Sequence, residues 1–137
     1  MVLALGALVA GCVEGRNGKH IRAGDAHVLV SEATRYSMLM AGGGTVKLIG
    51  GCLGTDDYVV IWPHGTDVVQ NDPLTIDVPG LGEVRIGQDI RLGGGMVVEH
   101  SEDEVKPGLL RMGDFTVPAG CAKYDIFLAG PSQGPVG

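Results

Sequence analysis

The sequence predicts an all-β fold: a small antiparallel barrel or sandwich, OB-like or SH3-like, with about seven strands and Gly-rich turns. Three observations predict it. Short runs rich in Val, Ile and Leu recur about every 8–12 residues. Between them stand residues that preset a turn or accept positive φ. Glycine supplies 24 of the 137 residues, against an ordinary share of about 7%. The glycines follow no three-residue period, which excludes a collagen-like chain.

The strand pattern becomes clear at Thr45. Candidate strands cover 45–53, 57–62, 74–78, 83–86, 89–92, 96–100 and 124–128. Their separators are Gly54-Thr55-Asp56, Pro63-His64-Gly65-Thr66, Asn71-Asp72-Pro73, Pro79-Gly80-Leu81-Gly82, Gly87-Gln88 and Gly93-Gly94-Gly95. Leu74, Ile76 and Val78 alternate with Thr75 and Asp77. Val84 and Ile86 alternate with Glu83 and Arg85. Each alternation puts apolar side chains on one face. The four residues 79–82 join the two runs, so they read as a hairpin.

The N-terminal third is read differently. Residues 1–12 are uncharged and apolar, of the length of a signal-peptide h-region. Residues 13–44 read as a polar, Gly-rich tether. Within it, Val28–Val30 resembles a first strand, and 32–40 is either a short helix capped by Ser31 or a strand. Gly42-Gly43-Gly44 ends that segment. The barrel is expected over 45–129, followed by a flexible tail at 130–137.

Charge and composition exclude some functions. The net charge is −6 and the isoelectric point about 5.0. Phosphate binding needs a basic stripe that releases counterions; here ten Lys and Arg are scattered along the chain. One Trp, three Tyr and two Phe offer little platform for base stacking. A nucleic-acid partner is therefore not expected. No cofactor is expected either. Gly42–Gly44 lacks the Gly-Lys-Ser/Thr of a phosphate loop.

The densest polar cluster beside an apolar strand is Pro63-His64-Gly65-Thr66-Asp67, with Asp72 nearby. His64 and Asp67 have the chemistry of a base and its orienter, or of metal ligands together with Asp72. No nucleophile accompanies them, so no catalytic residue is assigned. A turn whose Asp hydrogen-bonds its own backbone is the competing reading. Trp62 reads as core, with part of an exposed recognition patch as the alternative. Asp56-Asp57 and the acidic loop 99–107 have oxygens suited to Ca²⁺ but lack EF-hand spacing. His20 and His27 stand seven residues apart with no carboxylate or Cys at ligand spacing. They read as part of the solvated tether rather than as a metal site.

Leu8-Val9-Ala10-Gly11-Cys12 resembles the lipobox of bacterial lipoproteins. The resemblance implies that Cys12 becomes the first mature residue and carries lipid, anchoring the protein outside the cytoplasm. Read without it, the same run is a buried N-terminal strand or helix with a core cysteine. Given the lipobox, Cys52 and Cys121 remain to pair in an oxidising compartment; two unpaired buried thiols are the alternative. Gly51-Cys52-Leu53, Ile61-Trp62-Pro63-x-Gly65-Thr66 and Val117-Pro118-x-x-Cys121 also resemble features of uncharacterised secreted or lipid-anchored small domains of actinobacteria. That second resemblance spans roughly residues 45–129 and implies no activity.

The expected function is thus a small cell-envelope lipoprotein acting as a binding or structural module. Its partners would be the membrane, through lipid on Cys12, and an envelope protein or small ligand engaged near Trp62, His64, Asp67 and Asp72. The alternative is an envelope hydrolase or metal-dependent enzyme centred on His64, Asp67 and Asp72.

Overall fold

The computed structural model describes residues 18–32, 40–99, 110–112 and 115–130. Segment 1–12 with Cys12, residues 33–39, the acidic loop beyond Glu99 and the tail beyond Gly130 lie outside the described residues. The fold is all-β. Its strands are β1 (Lys19–Ala23), β2 (Ala26–Val30), β3 (Met40–Ile49), β4 (Cys52–Thr55), β5 (Tyr58–Trp62) and β6 (Asp67–Asn71). They continue with β7 (Leu74–Val78), β8 (Gly82–Arg85), β9 (Asp89–Val98), β10 (Leu110–Met112), β11 (Phe115–Val117) and β12 (Asp125–Ala129). A single turn of helix, α1 (Ala119–Ala122), precedes β12. No described helix is long and apolar enough to cross a membrane.

Seven strands form one mixed sheet in the order β1-β2-β4-β3-β9-β12-β5. Pairing of β4 with β5 curls this sheet back on itself, giving a circuit β3-β4-β5-β12-β9. The result is barrel-like but not cleanly closed. Strands β4 and β5 share only the pairs Gly54↔Val59 and Thr55↔Tyr58. They then diverge, and β2 docks on both, through His27↔Cys52 and through Leu29↔Ile61 and Val30↔Trp62. Strands β6, β7 and β8 form a separate antiparallel sheet, and β10 pairs with β11.

The circuit is not purely antiparallel, as β12 runs parallel to β5 from Tyr58↔Asp125 to Ile61↔Leu128. The reason is geometric. β12 fills the gap between β5 and β9, which run in opposite directions. A strand inserted there must run parallel to one of them.

The expected hairpin is present as β7 and β8, with Ile76 opposite Val84 on the buried face, but the second strand ends at Arg85 and Ile86, expected on that face, is exposed. Other expectations change. Residues 19–30 are not a tether but a β1–β2 hairpin, with Ala23, Ala26 and Val28–Val30 buried. Strand 45–53 divides at the Gly50-Gly51 turn. The runs 89–92 and 96–100 are one strand, β9, because Gly93-Gly94-Gly95 continues it. Gly42-Gly43-Gly44 likewise lies inside β3, opposite Leu92, Arg91 and Ile90. These triglycines allow close backbone approach instead of breaking strands. Gly43 has φ +113°, and a Cβ there would overlap the Ile90 carbonyl oxygen.

The core has two parts. Val46, Leu53, Val60, Trp62 and Phe127 pack with Ile76 and Val84, so the β6–β8 sheet shares the barrel's interior. Leu29, Ile49, Val59, Ile61 and Ile126 form a second cluster with Val117 and α1. Strand β5 feeds both, because successive side chains point to opposite faces and both faces are covered. Trp62 is 0% exposed, and its indole N–H donates to the Leu53 carbonyl at 3.1 Å. It is a core residue and presents no recognition patch. In the second cluster Cys52 and Cys121 form a disulfide across 69 residues of chain. By chain entropy such a loop stabilises the fold by about 4 kcal/mol.

Candidate functional site

The Pro63–Thr66 turn follows directly from β5. Gly65 takes φ +93°, and the Thr66 N–H donates to the Pro63 carbonyl at 3.1 Å. This places half-buried His64 against the end of β2, where its Nδ1 lies 3.2 Å from the Ser31 carbonyl oxygen. A ring N–H donated there holds the imidazole on the backbone. Asp67 opens β6 and pairs with Lys19 Nζ at 3.0 Å. Asp72 sits in the turn at the other end of β6. Asp72 is five residue steps along the chain from Asp67, a span of about 16 Å in extended backbone. The three side chains therefore do not converge. Among the described residues, no group of three or more His, Cys, Asp and Glu is placed to hold a metal ion. The base-and-orienter and metal-ligand arrangements expected of His64, Asp67 and Asp72 are absent from this geometry.

Asp56 also has a structural task. Its carboxylate accepts the Thr45 N–H at 3.1 Å, while Asp89 accepts the Thr45 hydroxyl at 2.6 Å. Together they fasten the β4–β5 turn to the start of the β3–β9 ladder. Tyr58 stacks on Phe127 with ring centroids 5.3 Å apart, and its hydroxyl accepts the Gly43 N–H at 2.9 Å. A side chain at Gly42 would collide with the Phe127 ring, so the glycine makes room for this stack.

Among the described residues, the pair of titratable side chains that the fold brings into direct contact through ring nitrogens is His20 and His27. They lie diagonally on one face of the β1–β2 hairpin, since Arg22 is opposite His27 and Leu29 opposite His20. His20 Nε2 stands 2.6 Å from His27 Nδ1, with ring centroids 4.7 Å apart. One N–H lies between the rings, donated by one and accepted by the other. Partial burial holds the His20 pKa below the usual 6.5, and the charges of His27 and Arg22 push the same way. The backbone beneath is fixed: the His27 N–H donates to the Gly51 carbonyl at 2.8 Å, next to the disulfide.

Sequence reading missed this pair by placing both histidines in the 13–44 tether. The available signal was Ala23-Gly24-Asp25-Ala26 between Ile21 and Val28. Gly24, at φ +63°, occupies the first central position of a two-residue hairpin turn, as a type II′ turn requires. That turn fixes the register, and the register makes residues 20 and 27 neighbours. Comparison with known proteins adds no relative: no family model, no curated protein and no solved structure matches the chain.

Proposed function

We propose that the chain is a small cell-envelope lipoprotein, anchored through lipid on Cys12, whose β domain is a binding or structural module. The Cys52–Cys121 disulfide carries the reading. Such bonds persist outside the reducing cytoplasm. The lipobox-like Leu8–Cys12 segment supports it, because it supplies both the export route and a use for the third cysteine. One acyl chain binds membranes only marginally, so the anchor requires the several chains that lipoprotein processing attaches. The partner is an envelope protein or a small ligand, not a nucleic acid, given the net charge of −6. Dispersal of His64, Asp67 and Asp72 leaves the enzyme alternative without a constellation.

The intact, non-reduced mass of the protein from its native host tests the whole reading. The expected mass begins at Cys12, carries acyl groups and is two hydrogens short. An unprocessed chain with three free thiols would overturn export, anchor and disulfide together. Replacing Cys12 separates the anchor from the rest. Cys12→Ala is expected to release the protein from the membrane fraction, and unchanged pelleting would refute the lipid.

A further inference from the structure

We propose that His20 and His27 form an open two-imidazole site for a divalent transition-metal ion such as Zn²⁺. Three observations carry this. First, His20 Nε2 and His27 Nδ1 already point at a common place, 2.6 Å apart. A metal held at about 2.0–2.1 Å from each nitrogen needs them about 3.3 Å apart in tetrahedral geometry. The rings must open by about 0.7 Å, a small side-chain rotation on a solvent-facing surface. Second, the spacing between the two Cα positions is preset. Both residues sit on a paired hairpin, and His27 is hydrogen-bonded to Gly51 beside the disulfide. Little ordering remains for the metal to impose. Third, the ligand type is right: imidazole nitrogen suits Zn, Cu and Ni.

Binding requires no net loss of a proton. The N–H between the rings moves to the other nitrogen of its own ring through solvent, which frees both facing lone pairs. Two protein ligands leave at least two coordination positions open. No third His, Cys, Asp or Glu is grouped with them among the described residues. Water, or a donor from a bound partner, fills those positions, which makes the ion exchangeable and able to bridge to a second molecule. Arg22, opposite His27, opposes the added charge and limits the affinity. The proposal does not depend on lipidation or export.

Calorimetric titration of the full chain with Zn²⁺ tests it, alongside imidazole NMR spectra. One ion per chain is expected, with perturbation of the His20 and His27 ring resonances. His20→Ala and His27→Ala should each weaken binding at least tenfold while retaining the native far-UV spectrum. Affinity within twofold of the native chain in both variants would overturn the proposal. So would an absence of binding, or Zn²⁺-induced shifts confined to other residues.

Discussion

Strand β5 of the barrel and strand β1 of the hairpin are both five residues long, but they are used in opposite ways. In β5 every side chain from Val59 to Trp62 is buried, alternately in one core cluster and the other. In β1 only Ala23 is buried, and Lys19, His20 and Arg22 face solvent. The glycines differ in the same sense. A Cβ at Gly43, Gly50 or Gly54 would strike backbone, whereas one at Gly24 would meet nothing. Strand β5 commits both faces to packing and has no surface left for chemistry. The hairpin buries one face and, on the other, only Leu29, so that His20 and His27 meet on the part of that second face left outside the core.

The largest break in this comparison should come from glycine substitutions. Gly43→Val forces a β-branched residue to positive φ and against the Ile90 carbonyl. The expected cost is at least about 4 kcal/mol, seen as loss of the cooperative thermal transition. Gly24→Ala strains φ alone and should cost about 1–2 kcal/mol. Equal losses at the two sites would mean the barrel is not as tightly apposed as described.

Next in size is the disulfide. Cys52→Ala with Cys121→Ala should lose about 4 kcal/mol in non-reducing melts. The native protein with reductant should fall to the same level. Coincident melting of native and variant without reductant would refute the bond.

On the hairpin, effects are small. Lys19→Ala removes an ion pair whose side chains are 47% and 66% exposed, and should change stability by no more than about 0.5 kcal/mol. A larger loss would show that β1 is fastened to β6 more strongly than an exposed pair allows.

The smallest effect belongs to His20. Its folded pKa lies below 6.5, through partial burial first and then His27 and Arg22. Below pH 6.5 the unfolded chain therefore binds more protons than the folded one. This contribution to stability is intact above pH 6.5 and falls as the pH drops from there toward the folded pKa. His20→Gln should flatten the change in melting temperature between pH 7.5 and 5.5. An unchanged slope would assign the acid sensitivity elsewhere.

Local chemistry made much of the fold legible. Alternation in 74–78 and 83–86, with Pro79-Gly80-Leu81-Gly82 between, specifies the β7–β8 hairpin without help from the rest of the chain. Short β-branched runs between turn residues determine an all-β class, because side-chain period and turn geometry act over a few residues. The polar strand β6, mostly exposed and irregular in its pairing between Val68 and Gln70, carries no such alternation and was not readable.

Tertiary structure alone decided the rest. A glycine triplet breaks a chain or continues a strand according to what backbone comes beside it, and the partners of Gly42–Gly44 lie some 46–50 residues away in β9. The parallel contact of β12 with β5 follows from the gap it fills. His64, Asp67 and Asp72 are near in sequence, but β6, at about 3.3 Å per residue, sets Asp67 and Asp72 at its opposite ends, and His64 turns to the Ser31 carbonyl. His20 and His27 are farther apart in sequence than His64 and Asp67, and a two-residue turn folds them into contact. Sequence distance measures the chain between two groups, while a site depends on which strands the chain places side by side.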